Sequence, residues 1–198
     1  MKIGLTGSIA CGKSTVSAYL ASLGCAVVDA DAISRALTAD GGAALPAVHQ
    51  AFGSGVFSGD SLDRRALGQL VFADSQKRDA LNAILHPLIL REISRQLDAY
   101  DAPDRLVIGD IPLLYECGMQ TMFDAVWVAS VPRETQIERL AQRDGLNRLQ
   151  AERRIDAQMP LAQKEALADA VIHTEGTLEQ THRQIDALLC RLAQRRKP

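Results

Sequence analysis

The chain has 198 residues with 22 basic and 24 acidic side chains, a formal net charge of −2, and 47% hydrophobic residues. This composition is that of an ordinary globular domain, and it excludes a disordered, collagen-like or low-complexity chain. The balanced charge provides no general positive field for nucleic acid, so no nucleic-acid partner is expected and any anion site has to be local.

The cysteines and the apolar runs indicate where such a protein works. The four cysteines are widely separated and form no C-x-x-C pair, which favours reduced thiols in a cytoplasmic protein over a zinc site or a disulfide framework. No apolar run approaches the roughly 20 residues of a membrane span, so no membrane partner is expected. The length is compatible with a monomer or a weak oligomer, and the basic end, residues 194–198, is expected to be a solvated tail.

Apolar residues recur with the periods of strands and helices in alternation. Strands are predicted at residues 3–5, 25–29, 106–110, 125–129 and 170–172. Helices are predicted at 13–23, 133–144, 147–158 and 177–194, and the stretch 31–100 is mostly helical with a loop near 53–59. Because strands alternate with helices, the chain is predicted to be an α/β protein with a parallel sheet.

The segment between the second and third predicted strands is too long for an ordinary crossover. Its roughly 75 residues predict a helical insert with a role of its own. His86-Pro87 interrupts the long helical stripe of this insert, because proline lacks the N–H that a helix interior needs. By itself the pair indicates a bend and not chemistry.

Residues 7–14 carry the strongest functional signal. Gly7-Ser8-Ile9-Ala10-Cys11-Gly12-Lys13-Ser14 matches G-x-x-x-x-G-K-[ST], and it follows a predicted strand and precedes a predicted helix. In such a loop the backbone N–H groups point at phosphate oxygens, and the helix N-terminus adds partial positive charge. Lys13 is expected to reach the β- and γ-phosphates and Ser14 to bind Mg²⁺, with Thr15 beside it.

The remaining motifs favour a small kinase. The D-x-x-G and N-K-x-D motifs of signalling GTPases are absent from the sequence, and a motor or helicase is disfavoured by the length. A binding module without turnover remains an alternative of another class. A kinase also needs an acceptor-orienting group, a carboxylate near Mg²⁺ and mobile cations.

Two aspartates are candidates for the carboxylate roles. Asp31 follows the second strand, where it either accepts the proton of an acceptor hydroxyl or caps the helix that begins near Ala32. Asp29 is predicted either to support the site residues from behind or to lie at the edge of the packing. Asp110 ends the third strand, where it either holds Mg²⁺ through water or is an ordinary polar strand end.

Arginines mark residues 133–154 as a candidate lid. Arg139 and Arg143 are four residues apart on one helical face, and the planar guanidinium suits phosphate. These two are predicted to be lid cations, whereas Arg133, Arg148 and Arg154 are predicted to form surface ion pairs with the interleaved acidic residues.

Taken together, these motifs resemble the dephospho-CoA kinase family over nearly the whole chain. The resemblance rests on the phosphate loop followed by Asp29-Ala30-Asp31, Leu62 to Leu67, Leu81-Asn82 with Leu85-His86-Pro87, Asp110-x-Pro112-Leu113-Leu114-x-Glu116, and Arg143-Asp144-Gly145 with Arg154-Ile155 and Gln158. The phosphate loop is shared by many families, but the order of the other motifs is far more specific.

The resemblance implies transfer of a phosphoryl group from ATP, with Mg²⁺, to the ribose 3′-hydroxyl of dephospho-CoA. It implies a three-layer P-loop kinase core (about 1–30, 104–132 and 165–198), a helical substrate insert (about 31–103) and an Arg-rich lid (about 133–164). It makes Asp31 the expected general base and supports Arg139 and Arg143 as lid cations. Arg64, Arg65, His86 and Pro87 become candidate substrate contacts. Another small-molecule kinase, such as a nucleoside kinase, is the alternative.

Two segments depart from the family's pattern. The family often has glycine where Ser8, Ala10 and Cys11 stand, although these residues are small enough to fit. Thr174 replaces the asparagine of a segment near the adenine, which predicts weaker discrimination of ATP from GTP or readout by the backbone. Cys11, in an anion-attracting loop, is either a merely small residue or a thiol of lowered pKa that ATP would protect.

Overall fold

Strands and helices alternate along the chain in the computed structural model, which describes residues 1–103 and 105–195. Within those residues the strands are β1 (Lys2–Gly7), β2 (Ala26–Asp29), β3 (Phe57–Ser58), β4 (Ser61–Leu62), β5 (Val107–Asp110), β6 (Ala125–Ser130) and β7 (Ala170–His173). The α-helices are α1 (Lys13–Ser22), α2 (Ala30–Leu37), α3 (Leu45–Phe52), α4 (Arg64–Ala73), α5 (Ser75–Tyr100), α6 (Arg133–Asp144), α7 (Arg148–Asp156), α8 (Leu161–Leu167) and α9 (Leu178–Arg195).

A five-stranded sheet in the order β2-β5-β1-β6-β7 is the frame of the molecule. β1 pairs in parallel with β5 and β6, and β6 pairs in parallel with β7. Because the strands are parallel, the carboxyl ends of β1, β5, β6 and β7 meet at one edge, where ligands of such sheets bind. The predicted α/β fold with a parallel sheet is confirmed.

The strands and two helices share one apolar core. Ile3 and Leu5 of β1 and Trp127 of β6 are fully or almost fully buried, together with Val16 and Leu20 of α1. Ile185 of α9 lies in the same cluster. Leu5 is in register with Trp127, and Trp127 with Ala170, so the indole lies at the level where three strands meet. Its burial alone removes a large apolar area from water.

Two compact units divide the chain, Met1–Val28 with Tyr100–Pro198 and Asp29–Ala99. The first contains the phosphate loop, β5 to β7 and α6 to α9. The second is mostly helical and has its own core around Ala44, Val48, Val56 and Leu67. The predicted solvated tail lies partly outside the described residues, since 196–198 are not among them.

Three elements differ from the sequence prediction. The predicted loop near 53–59 contains β3, which pairs antiparallel with β4 as a two-residue hairpin, too short to give a periodic pattern. α8 was not predicted, because its seven residues are fewer than two helical turns. α5 continues through Pro87 without interruption, because the helix is long on both sides of the proline and tolerates the loss of one hydrogen bond. None of the described helices is long and apolar enough to cross a membrane.

Candidate active site

The loop between β1 and α1 has a backbone that only small residues allow. A Cβ on Gly7 would lie 2.3 Å from Cys11 Sγ and 2.7 Å from the carbonyl oxygen of Ala129. Gly12 adopts a left-handed conformation with φ of 79°, which favours glycine. Ala10 adopts the same region with φ of 60°, at a position where an L side chain is strained. The loop therefore curls tightly over the end of β1.

The start of α1 is open toward the mouth of this loop. Gly12 is the N-terminal cap, and it has no side chain to accept a hydrogen bond from the first turn. Lys13 and Ser14 are the first two residues of the helix, and Ser14 is exposed. An uncapped helix N-terminus carries N–H groups and partial positive charge, which is the environment that a phosphate group requires.

Three consecutive carbonyl groups of the loop accept hydrogen bonds from side chains outside it. Gln136 Nε2 donates to the oxygen of Ile9 at 2.7 Å, Arg139 Nη1 to that of Ala10 at 3.2 Å, and Thr174 Oγ1 to that of Cys11 at 2.6 Å. In a planar trans peptide the C=O and the following N–H point in opposite directions. Because the three carbonyl oxygens are held toward the side chains outside the loop, the N–H groups of the same three peptides point away from those side chains.

The tip of the loop is also held through Ile9. Its N–H donates to Gln158 Oε1 at 2.8 Å, and the Ser8 hydroxyl donates to the same oxygen at 3.1 Å. The side chains of Ile9 and Ala10 pack against an apolar cluster of α6 and α7, formed by Ile137, Leu140, Ala151 and Ile155. The helices of the predicted lid thus hold the phosphate loop by both polar and apolar contacts.

A lysine and a carboxylate meet beside the loop. Lys13 Nζ forms an ion pair with Asp110 Oδ1, and the Asp110 side chain is 9% exposed. Parallel pairing places Asp110 level with Leu5, just below the phosphate loop. The Ser14 hydroxyl and the Asp110 carboxylate are hard oxygen donors, which fit Mg²⁺, an ion that keeps water and phosphate oxygens as its other ligands.

A second lysine, Lys164 of α8, is fully buried below the loop. Its ammonium donates to the carbonyl oxygens of Gly7 at 3.3 Å and Pro112 at 2.9 Å, and it pairs with Glu116 Oε1 at 2.8 Å. It thereby connects the end of β1 with the chain that follows β5. A buried ammonium is stable only with such partners.

The two predicted lid cations have different surroundings. Arg139 is held at the loop, since Nη2 also donates to the Thr174 carbonyl at 2.6 Å. Arg143 has a side chain that is 60% exposed and pairs with Asp144 at 2.8 Å. Its hydrogen bond to Asp144 raises the pKa of Arg143 and lowers that of Asp144.

The arginines predicted to form surface pairs do so. Arg133 pairs with Asp156 at 2.8 Å, Arg148 with Glu134 at 2.7 Å, and Arg154 with Asp144 at 3.2 Å. Exposed pairs of this kind add little stability individually.

The idea of a lowered pKa for Cys11 is wrong. The thiol is 1% exposed, and burial raises its pKa above the ordinary value despite the opposing influence of Lys13. Desolvation disfavours the thiolate more than the neighbouring lysines favour it. The reading of Cys11 as a small residue that fits the loop agrees with its packing against Gly7.

In the second unit, the helix cap predicted at Asp31 belongs to another residue. Asp29 is the cap of α2, and its carboxylate accepts hydrogen bonds from the N–H groups of Asp31 and Ala32 at 2.8 and 3.0 Å. Asp29 is therefore more than a residue at the edge of the packing, because the helix starts two residues before the predicted position. This leaves Asp31 exposed in the first turn with its carboxylate not used as a cap.

The predicted substrate contacts of this unit are all exposed. Arg64 lies at the start of α4 and donates to the carbonyl of Arg35 at 2.9 Å, and Arg65 follows it. His86 and Pro87 lie on α5. Asp31, Arg64, Arg65, His86 and Pro87 belong to the second unit, whereas the phosphate loop belongs to the first.

Sequence reasoning missed the side chains that hold the loop from outside. Gln136 had a signal, because it lies beside Ile137 and one turn before Leu140 on the buried stripe of α6. Lys164 had none, because a lysine in a short polar helix is ordinarily exposed. Gln158 and Glu116 were noted as parts of the family motifs, but without a role.

This arrangement defines the class of the protein. A parallel α/β sheet with an anion-binding loop after its first strand, whose lysine meets a carboxylate at the end of the neighbouring strand, is that of the P-loop kinases.

Comparison with known proteins gives the family. The dephospho-CoA kinase family matches residues 1–180. A dephospho-CoA kinase of Shouchella clausii is 46% identical over 191 residues, covering 95% of this chain and 97% of the relative. A solved structure from Thermus thermophilus superposes with a TM-score of 0.82 and 37% identity, covering 97% of both chains. The dephospho-CoA kinase of Campylobacter jejuni superposes with a TM-score of 0.73 and 28% identity, covering 95% of this chain and 98% of that one. The chain belongs to the dephospho-CoA kinase family.

Proposed function

We propose that the chain transfers the γ-phosphoryl group of ATP to the ribose 3′-hydroxyl of dephospho-CoA, giving coenzyme A and ADP. The observation that carries this proposal is the family match over residues 1–180, which includes a phosphate loop of the geometry described above. The 3′-oxygen forms a bond to the γ-phosphorus while the bond from that phosphorus to the β,γ-bridging oxygen breaks. The hydroxyl proton passes to a carboxylate, and ADP leaves.

The loop and its lysine provide the phosphate site. The N–H groups of Ala10, Cys11 and Gly12 and of the first turn of α1 bind phosphate oxygens, with Gly7 allowing the tight curl and Thr15 completing the turn. Lys13 leaves Asp110 to bind the β- and γ-phosphates. Ser14, and Asp110 through water, would hold Mg²⁺, and the bound ion would neutralise phosphate charge. Lys13 mainly stabilises the negative charge on the phosphoryl group that is being transferred.

The acceptor and the developing charge need three further groups. Asp31 orients the 3′-hydroxyl and accepts its proton. The Asp31 carboxylate is exposed and does not cap α2, which supports this role. Arg139 and Arg143 are the cations of the lid, and Arg143 has to exchange Asp144 for phosphate to act in this way. Closure of the lid would exclude water and suppress hydrolysis of ATP. Substrate contacts are assigned to Arg64, Arg65, His86 and Pro87.

A coupled assay of ADP release tests the function. The chain is given ATP and Mg²⁺ with and without dephospho-CoA, and the product mass is determined. ADP release that depends on dephospho-CoA, with a product heavier by one phosphate, supports the proposal. Lys13→Ala and Asp31→Asn are the matched variants, and each is expected to lower kcat more than it raises KM.

The alternative acceptor is a separate outcome of the same assay. Bound ATP without stimulation by dephospho-CoA would overturn the proposed substrate but not the P-loop site. Stimulation by a nucleoside would then indicate a nucleoside-type kinase.

A further inference from the structure

Thr174 follows β7 and is almost fully buried, with 6% of its surface exposed. All three of its polar groups contact the protein. Its N–H donates to the Ser130 carbonyl at 2.8 Å, and its own carbonyl accepts from Arg139 Nη2 at 2.6 Å. Its hydroxyl donates to the Cys11 carbonyl at 2.6 Å, with the Ser130 carbonyl as a second acceptor at 3.3 Å.

These contacts leave Thr174 no free hydrogen for a nucleobase. A threonine hydroxyl has one donor, and the short bond to Cys11 uses it. The backbone N–H is used as well, by the Ser130 carbonyl. Donation of a hydrogen bond from this hydroxyl to a base would require breaking its bond to the Cys11 carbonyl, which would leave that buried carbonyl without this partner. The hydroxyl of Thr174 therefore contacts the phosphate loop and has no hydrogen left for a base.

The bond to Cys11 determines how one peptide group of the loop is turned. Because the peptide is planar, a Cys11 carbonyl fixed toward Thr174 directs the N–H of Gly12 to the opposite side. Thr174 also lies against Gly12, where an added Cβ would come within 2.8 Å of the threonine oxygen. The side chain thus limits both the rotation of the Cys11–Gly12 peptide and the space around it.

We propose that Thr174 is a positioning residue, which holds the Gly12 N–H in the orientation that binds phosphate, and that it does not read the nucleobase. This inference rests on the proposed function, in which the loop binds the phosphates of ATP. Thr174 should therefore affect the binding of every nucleoside triphosphate equally, and that of inorganic tripolyphosphate as well, because all of these ligands carry the phosphates that the loop binds.

Binding measurements on two substitutions test this role. Thr174→Val keeps the shape and removes the hydroxyl, whereas Thr174→Ser keeps the hydroxyl. We expect Thr174→Val to weaken the binding of ATP, GTP and tripolyphosphate by about tenfold each, which corresponds to about 1.4 kcal/mol. The ratio of ATP to GTP affinity stays unchanged, and Thr174→Ser stays within about twofold of the original chain. In Thr174→Val, the KM for ATP rises by the same factor as the dissociation constant.

The matched control is Thr181→Val. Thr181 is a buried threonine of α9, and its hydroxyl donates to the Thr177 carbonyl of the same helical region at 3.3 Å. This substitution should leave all three affinities unchanged, which separates loop positioning from the general cost of a buried valine. If Thr174→Val does not fold, Thr174→Ala takes its place and is compared with Thr174→Ser.

Other outcomes overturn the inference. A change in the ATP-to-GTP ratio with unchanged tripolyphosphate binding would make Thr174 a residue that reads the base. Equal losses in Thr174→Val and Thr174→Ser would show that the hydroxyl bond is irrelevant. An original chain that binds none of the three phosphates would overturn the proposed function itself, whereas normal binding in both the original chain and Thr174→Val would overturn only the role of Thr174.

Discussion

Lys13 of the phosphate loop and Asp110 at the end of β5 form an ion pair, 97 residues apart in the chain. The lysine that is proposed to bind the phosphates is thus held by the carboxylate that is proposed to bind Mg²⁺ through water. In the proposed function, Lys13 has to leave Asp110 before it can bind phosphate. If Lys13 binds phosphate as proposed, Asp110 competes with phosphate for this lysine when Mg²⁺ is absent.

Asp110→Asn is expected to separate binding from catalysis. Without Mg²⁺, the variant binds ATP about threefold to tenfold more tightly, because a negative charge next to the phosphates is removed and Lys13 is released. With Mg²⁺, kcat falls by about 100-fold, because the carboxylate near the metal is lost. Calorimetric titration with ATP, in EDTA and in Mg²⁺, measures the first effect, and the ADP-release assay measures the second.

The opposite pattern would contradict the competition. If Asp110→Asn weakens ATP binding in EDTA, the carboxylate supports the phosphate site instead of competing with it. Asp124→Asn is a suitable control, because Asp124 accepts a hydrogen bond from the Lys2 N–H at 2.7 Å near the opposite end of β1.

Ala10 provides a stability prediction of unusual sign. Its φ of 60° is strained for alanine and relaxed for glycine. Ala10→Gly should raise the free energy of unfolding by about 0.5–1 kcal/mol and leave kcat within twofold. Ala18→Gly, the same change on the exposed face of α1, should lower it by about 1 kcal/mol. Urea unfolding of both variants gives the comparison, and two losses of equal size would refute the strain at Ala10.

The buried ion pair of Lys164 and Glu116 gives a third prediction. Glu116→Gln leaves the fully buried ammonium of Lys164 with two carbonyls and no counter-charge. The expected loss is about 2–4 kcal/mol in the free energy of unfolding. Glu134→Gln, which breaks an exposed pair with Arg148, should have a much smaller effect. Similar losses in the two variants, measured by urea unfolding, would show that burial of Lys164 adds nothing to the pair.

Cys11 is expected to resist alkylation near neutral pH. Burial raises the pKa of its thiol above the ordinary 9.0, and only the thiolate reacts. With iodoacetamide at pH 7.5, exposed Cys190 should be modified at least about tenfold faster than Cys11, as determined by peptide mass mapping. Fast modification of Cys11 that ATP prevents would contradict this prediction and restore the reactive thiol.

The same raised pKa predicts how stability changes at high pH. The folded chain keeps the Cys11 proton to a higher pH than the unfolded chain does. Above the ordinary pKa the unfolded state therefore binds fewer protons, and the contribution of Cys11 to stability decreases as pH rises. Below that pH it is constant. Cys11→Ser should reduce the loss of stability between pH 8.5 and 10, when urea unfolding is compared across that range (pH values chosen about the ordinary pKa).

The elements that the sequence predicts well are those with a strong period. All five strands of the sheet and the helix after the phosphate loop lie within two residues of their predicted bounds, because buried strands and amphipathic helices leave clear apolar patterns. The β3–β4 hairpin and α8 are too short to show a period. Asp29 rather than Asp31 caps α2, a distinction of two residues that depends on backbone angles and not on residue type.

The residues of the candidate site also fall into those that the sequence predicts and those that it does not. The motif predicts the loop, Lys13 and its strand–loop–helix setting, because each glycine and the lysine serve a local geometry. It does not predict Gln136, Gln158 or Lys164, which reach the loop from more than 120 residues away. Such contacts depend on tertiary packing, and single residues of common type carry no local trace of it. The functional roles of the site residues all stay predictions, those of Lys13, Ser14 and Asp110 as well as those of Asp31, Arg64, Arg65, His86, Pro87, Arg139 and Arg143.

The burial of Trp127 in β6 has a consequence for unfolding experiments. It is the single tryptophan of the chain, and it lies in the core of the first unit. Its fluorescence therefore reports on the sheet that carries the phosphate loop and is blind to the interior of Asp29–Ala99. Circular dichroism at 222 nm (a wavelength set by helical peptide groups) includes both units. Midpoints that differ between the two signals would show that the helical unit melts independently, whereas coincident midpoints would show that the chain unfolds as one cooperative body.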